Sequence, residues 1–226
     1  MKPLAIIPAR GGSKRFPRKN VAHLRGKPLI LWAVEAAIGS GVFDTVCVSS
    51  DDAEILRIAR EAGADARLRP AEFATDTAQT KHVALHLLEE FAKEGKKYES
   101  CALLMPTSPL RTAEDIRKAY EIFTQSGCDC VMSFVPNEHS PEQTYRVVAG
   151  TMEPYLGSER MHLRSQELEK TYRHDGAITF VKTAVFRKRR EWCDTGVVPY
   201  FIPPEHSVDI DSPDQLRYAE FLLQHS

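Results

Sequence analysis

Short apolar runs that alternate with amphipathic helical stretches predict an α/β fold: a mostly parallel, Rossmann-like sheet with helices on both faces. Two observations carry this. Leu4-Ala5-Ile6-Ile7 and Ser100–Met105 are continuous apolar runs, as strands buried on both faces require. Between such runs lie stretches with apolar residues at helical spacing, for example Val83, Leu87, Leu88 and Phe91.

The elements follow in order. Leu4–Pro8 is the first strand, and Leu29–Ile38 lies in the first helix. Thr45–Ser50 is the second strand, ending in Asp51-Asp52, either of which can cap a helix over Ala53–Ala62. Gly63 stops that helix, and Ala66–Arg69 is a short third strand. Thr77–Lys93 is helical. Ser100–Met105 is a strand that runs into the turn Pro106–Pro109. Thr112-Ala-Glu-Asp115 opens the next helix with a capping-box-like pattern, and Gly127 closes it. Cys130–Val135 is another buried strand. From Pro136 to Tyr172 the rhythm breaks, with two further prolines, two glycines and no clear period. This predicts an excursion of hairpin strands and loop outside the main sheet. Gly176–Val181 restores a strand, and Asp214–Leu223 is a closing amphipathic helix. The chain thus reads as one domain over residues 1–226, with an excursion at about 136–175.

Composition sets limits on function. Apolar content of 42% and charged content of 27% are those of an ordinary soluble domain. A net charge of −1 argues against nucleic acid as a partner, because such domains carry a basic excess. No stretch approaches the ~20 apolar residues of a membrane span, and no charged-then-apolar leader opens the chain. These point to a cytoplasmic protein. The five cysteines have no regular spacing, and Cys128 and Cys130 read as buried thiols at the start of a strand rather than half a metal site. His82 and His86, at i and i+4, lack the Glu of a zinc helix motif and read as helix-surface residues.

The charge is arranged unevenly. Eight Lys/Arg residues precede the first carboxylate, Glu35. Their centre is Pro8-Ala9-Arg10-Gly11-Gly12-Ser13-Lys14-Arg15-Phe16-Pro17-Arg18-Lys19-Asn20, directly after the first strand. A Gly-Gly-Ser turn there offers backbone N–H groups that can close around an anion. Arg10, Lys14, Arg18 and Lys19 flank it with cations. One phosphate rarely needs so many charges; a triphosphate plus an acidic second substrate does. The segment reads as a polyanion site, with a solvated basic loop as the alternative. Neither G-x-x-x-x-G-K-[ST] nor G-x-G-x-x-G occurs, which argues against an ATPase or a dehydrogenase.

Near the other end, Val208-Asp209-Ile210-Asp211 precedes Ser212-Pro213-Asp214. Carboxylates at i and i+2 on extended backbone project to one side and repel unless a cation sits between them. Magnesium takes one or two protein carboxylates with phosphate oxygens and water, so Asp209 and Asp211 are candidate ligands. The residues alone leave open a capping cluster for the last helix.

Ile6-Ile7-Pro8-Ala9-Arg10-Gly11-Gly12-Ser13-Lys14, with Pro17-Arg18-Lys19-Asn20, resembles the signature loop of the cytidylyltransferases that activate sialic acids and related nine-carbon acids as CMP-sugars. Enzymes for the eight-carbon acid Kdo share only the start of this motif, so the full run favours the nine-carbon branch. Ser207-Val-Asp-Ile-Asp211 resembles that family's metal-binding element, Arg69–Thr77 its cytosine-recognition segment, and Pro106–Thr112 its turn beside the sugar. Arg164-Ser-Gln166-Glu-Leu, with Tyr172–Ile178, resembles the segment that closes on the acidic sugar. The matches span nearly the whole chain, in the family's order.

The resemblance implies a Rossmann-like nucleotidyltransferase that joins CTP to an acidic nine-carbon sugar. Ala9, Arg10, Gly11, Ser13, Lys14 and Asn20 would hold the nucleotide, with Arg69 and Thr80 on the base. Lys19 would face the α-phosphate, Arg10 and Lys14 the outer phosphates, and Asp209 and Asp211 would bind Mg²⁺. A metal-bound hydroxide or Asp211 would accept the sugar's proton. Met105, Arg111, Arg164, Gln166, Tyr172, Arg173 and Asp175 would surround the sugar. The excursion implies a homodimer, with Arg164 or Arg173 reaching the partner's site. Two positions depart from the family pattern: Met105 stands where it has Gln, and Asp175 where it has Asn. A thioether in place of an amide favours an apolar group, and Asp175 could accept from an extra acylamino N–H. This implies a deoxy, diacylated acid, with ordinary sialic acid as the alternative. The rivals are a nucleotidyltransferase for another sugar acid or sugar phosphate, and a non-catalytic nucleotide-binding regulator.

Overall fold

The computed structural model describes residues 2–225 apart from Asp76 and Ser165. Leu4–Pro8 forms β1, buried along its whole length. A loop and a small hairpin, β2 (His23–Leu24) and β3 (Lys27–Pro28), lead to α1 (Leu29–Ser40). Then come β4 (Thr45–Ser50), α2 (Ala53–Glu61) and β5 (Asp65–Leu68). They are followed by α3 (Thr80–Lys93), β6 (Ser100–Leu103), α4 (Ala113–Ser126) and β7 (Cys130–Pro136). β8 (Tyr145–Val148) pairs only with β9 (Thr151–Pro154), and this hairpin is the predicted excursion from the main sheet. β10 (Tyr172–Lys182), α5 (Thr183–Arg189), β11 (Val198–Phe201) and α6 (Pro213–His225) complete the chain.

The main sheet has the order β11-β7-β10-β6-β1-β4-β5. All neighbours are parallel except β10, which runs antiparallel to both β6 and β7. The carboxyl ends of β1, β4, β6, β7 and β11 therefore share one edge, and β10 begins there.

β1 shows why the central strands are apolar on every residue. Ala5 and Ile7 join the core under α1, α2 and α4, while Leu4 and Ile6 join the opposite core under α3. Each face buries alternate side chains, so neither tolerates a polar residue. The helix ends are fixed by their caps. Asp52, rather than Asp51, accepts from the N–H groups of Glu54 and Ile55 at the start of α2. Thr112 and Asp115 form the predicted capping box on α4, and Gly127 ends that helix in the left-handed region. The helix predicted from Thr77 begins at Thr80.

Four elements, β2, β3, α5 and β11, have no counterpart in the sequence prediction. β11 is four residues with Pro199 inside, a pattern that suits only an edge strand, and the edge is where it lies. A bulge in β10 between His174 and Thr179 was also unforeseen. Gly176 sits there at φ 78°, a conformation that strains any residue with a Cβ. Cys130 is buried, but not as a free thiol: its sulfur is bonded to that of Cys193, 63 residues away, with the Cα atoms 6.3 Å apart. Cys128 is half-buried and unpaired.

Candidate active site

A pocket of about 590 Å³ opens at the carboxyl edge of the sheet. Its walls include Arg10, Ser13, Lys14, Lys19 and Asn20 from the loop after β1, Arg69 from the end of β5, and Thr80 from the start of α3. Met105, Pro106 and Thr107 follow β6, and Asp209 and Asp211 precede α6. Ligands of open α/β sheets bind at this edge.

The loop is built to point its cations inward. Gly11 is obligatory, because a Cβ would lie 2.8 Å from the Asp52 side chain. Its N–H donates to Asp51 Oδ1 at 2.9 Å, so it ties the loop to the end of β4 rather than facing the pocket as expected. Ala9 likewise only extends the β1–β4 ladder, donating to the Ser49 carbonyl, and its side chain is in the core. Asn20 donates to the Arg10 carbonyl at 2.8 Å. Arg18, at φ 57°, turns out of the pocket to pair with Glu54 and Asp52, and it initiates the short helical turn that buries Lys19.

Lys19 Nζ donates to Asp211 Oδ1 at 2.6 Å, and Arg15 lies 2.7 Å from Oδ2. Partial burial opposes ionisation of Asp211, but the Lys19 hydrogen bond and both cations outweigh it and hold the carboxyl below the ordinary range. Asp209 moves the other way. Desolvation raises it, and the Asp211 charge adds to that against a hydrogen bond from Thr107 and the cations Lys19 and Arg15. Ile210 N–H donates to the Thr107 carbonyl at 2.7 Å, which sews the acidic segment to the turn after β6. The capping alternative fails for this pair, since Ser212 and Gln215 serve the start of α6. Two carboxylates, with no cluster of three or more His, Cys, Asp or Glu side chains among the described residues, suit an ion that takes its remaining ligands from phosphate and water.

On the opposite wall, Arg69 Nη2 donates to the Ser49 carbonyl at 2.6 Å and Nε to Ser49 Oγ at 3.3 Å. Burial lowers its pKa to about 10, with Arg10 adding to the effect and Asp51 opposing it. Asp76, in the same sequence segment, lies outside the described residues.

The expected sugar residues do not assemble. Arg111 is buried and does not line this pocket; its Nη1 donates to the carbonyls of Ala177 (2.7 Å) and Met105 (3.3 Å). Burial pushes its pKa down to about 10 against the charges of Asp175 and Asp115. Asp175 is buried too, because the β10 bulge turns it inward, where Oδ1 accepts from Ser133 Oγ and the Ala177 N–H. Arg111 thereby braces the backbone of Met105, and Asp175 braces the bulge of β10. Arg164 and Gln166 stand exposed on the excursion, and Ser165 between them lies outside the described residues. Tyr172 packs its ring on Phe201, with centroids 4.7 Å apart. Arg173 lines a second pocket of about 750 Å³, which shares Asp209 with the first. Arg15 and Thr107 are site residues that the sequence reading missed; each lies inside a segment it had singled out.

The fold and the site together define a nucleotide-binding transferase of the doubly wound class, with a cationic loop facing paired carboxylates. Comparison with known proteins makes this specific. A family model described as cytidylyltransferase matches residues 4–193. A pseudaminic acid cytidylyltransferase from Campylobacter jejuni is 33% identical, over 99% of this chain and 97% of its own length. An N-acylneuraminate cytidylyltransferase from Streptococcus agalactiae is also 33% identical, over 97% of this chain and 52% of its own length. The fold is shared with a CMP:2-keto-3-deoxy-manno-octonic acid synthetase solved with CTP, at TM-score 0.71 and 18% identity, over 100% of this chain and 99% of that one. The chain belongs to the cytidylyltransferase family.

Proposed function

We propose that this chain transfers CMP from CTP to the anomeric hydroxyl of a nine-carbon α-keto sugar acid and releases pyrophosphate. The observation that carries this reading is the convergence of Arg10, Lys14 and Lys19 with Asp209 and Asp211 around one pocket that also holds Arg69 and Thr80. Attack by an anionic sugar on a triphosphate brings like charges together, so fixed cations supply most of the rate enhancement. Lys19, buried and already hydrogen-bonded, is placed for the α-phosphate, with Arg10 and Lys14 toward the leaving pyrophosphate. Asp209 and Asp211 would hold Mg²⁺, which when bound neutralises phosphate charge. Both carboxylates line the pocket, and Asp211 is the side chain expected to accept the sugar's hydroxyl proton. Asp211, paired twice, is suited to holding charge.

The sugar itself is a finer matter, because relatives named for two different nine-carbon acids each match this chain at 33% identity, over 97% and 52% of their own lengths. Met105 lines the pocket and favours an apolar substituent, which supports a deoxy, diacylated acid. Asp175 gives this preference no support. A second copy of the chain would cover the excursion, whose Val147, Met152, Tyr155 and Leu156 are exposed apolar side chains. No helix among the described residues is long and apolar enough to cross a membrane. A cytoplasmic location fits the use of CTP. Pyrophosphate release with CTP and a panel of nine-carbon acids tests the reading. Turnover with a deoxy, diacylated acid above that with N-acetylneuraminate is expected; no release with any acid would overturn it.

A further inference from the structure

The segment between α5 and β11 is the part of the molecule to which the mechanism above assigns nothing. It is nevertheless tied down at three consecutive residues. Glu191 pairs with Lys81 on α3. Trp192 stacks on Phe186 with ring centroids 4.4 Å apart and an interplanar angle of 22°. Cys193 is bonded to Cys130 at the start of β7. The product of this anchoring is one polar contact with the site: Trp192 Nε1 donates to Thr80 Oγ1 at 3.2 Å.

An indole N–H is a donor only, so in this contact the Thr80 hydroxyl must act as acceptor. Its own proton is then directed elsewhere. In a helix interior, a threonine hydroxyl commonly gives that proton to the carbonyl one turn back. Thr80 is the first residue of α3 and has no preceding helical turn. The N-cap is Gln79, which makes no side-chain cap, and no other hydrogen bond involves the Thr80 hydroxyl among the described residues. Thr80 lines the nucleotide pocket with Arg69, whose Nη1 also makes no hydrogen bond among the described residues. The wall therefore presents two donors.

We infer that Trp192 is a positioning residue for base selection: by donating to Thr80, it occupies one lone pair of that hydroxyl and polarises its proton, which biases the group toward donating to the nucleotide base. This rests on the reading that Arg69 and Thr80 face the base. Cytosine offers acceptors at both O2 and N3. Uracil carries a hydrogen on N3, and a hydroxyl already accepting from Trp192 has only one lone pair left, a weakened acceptor for that N3–H. Without the Trp192 N–H, both lone pairs are open to that N3–H and neither is weakened. Discrimination by a poorly paired buried donor exceeds what shape alone supplies between two rings of one size.

The test uses the full chain and compares kcat/KM for CTP and UTP in pyrophosphate release, with direct calorimetric binding of each nucleotide alongside. W192F keeps an aromatic ring for the stack on Phe186 and removes only the N–H. It is expected to lower the CTP-over-UTP ratio roughly three- to tenfold, through a higher KM for CTP and a lower KM for UTP, with less change in kcat. T80V should lower the ratio at least as far, and T80S should restore most of it. W192F added to T80V should change the ratio no further, because the two act through one hydrogen bond. Thermal melting confirms that each variant is folded. An unchanged ratio in folded W192F, or equal additional losses in the double variant, would overturn the inference while leaving the wild-type CTP activity, and so the proposed reaction, in place. Failure of the wild type to turn over or bind CTP would instead remove the reaction reading, and this inference with it.

Discussion

The loop from Pro8 to Asn20 and the excursion after β7 leave the same edge of the sheet, yet they are held in opposite ways. The loop is pinned at Gly11 by Asp51, at Arg10 by Asn20 and at Lys19 by Asp211, and it closes over buried side chains. The excursion has a two-stranded hairpin whose Val147 is 71% exposed and Met152 64% exposed, and among the described residues it forms no core cluster of its own. Preorganised charge must stand still to stabilise a transition state, so its supports are short and internal. Recognition of a second substrate can rest on a segment that another copy of the chain completes.

The most severe way to probe the fixed half is at the acidic pair. Asp209→Ala should reduce kcat more than about a thousandfold in magnesium while leaving the melting temperature within a few degrees; near-normal turnover would return the pair to a structural role. Next comes Lys19→Ala, expected to lower kcat by roughly a hundredfold or more and to raise KM for CTP far less, because the ammonium acts as charge moves. If only CTP binding weakens, Lys19 has a ground-state role. On the exposed side of the comparison, Val147→Glu should dissociate the proposed dimer and cut turnover about tenfold through the sugar, with CTP affinity measured by calorimetry unchanged. A variant that sediments as a monomer with full activity would show that each copy is complete alone.

The smallest effect concerns stability. Asp211 titrates below its ordinary range when folded, so its ionised form stabilises the native state above the pKa of the unfolded chain, and that contribution is lost as pH falls through the lower folded value. Asp211→Asn should therefore cost about 1–3 kcal/mol at neutral pH, since it leaves buried Lys19 without its anion. The gap to the wild type should close in acid, below the ordinary carboxylate range. Parallel unfolding curves at neutral and acid pH, with a constant gap, would contradict this.

What could be read from the residues follows the range of the interactions. β1, β4 and the cap of α4 depend on apolar runs and on partners three residues apart, and these were legible almost to the residue. The cationic loop and the Asp209–Asp211 pair were legible because their chemistry is local, and the pocket gathers them. The burial of Arg111 and Asp175 was not legible, because it is created by a bulge and by strands that meet only in the folded sheet. The Cys130–Cys193 bond and the contact of Trp192 with Thr80 join residues 63 and 112 positions apart, with no sequence pattern to announce either. β11 was hidden by Pro199, whose cost is avoided only because the strand lies at an edge.

The excursion's two ends bear on how such a protein can diversify. Pro136 and Tyr172 are directly opposite each other in one ladder, so everything between them hangs from a single pair of adjacent backbone positions. Lengthening or replacing a segment anchored in this way costs little chain entropy, which grows only with the logarithm of its length. It also leaves β7, β10 and the strands beyond them in register. The inserted stretch is in effect a cassette: a different one could be grafted between these two residues, and the scaffold carrying the triphosphate chemistry would not have to be rethreaded.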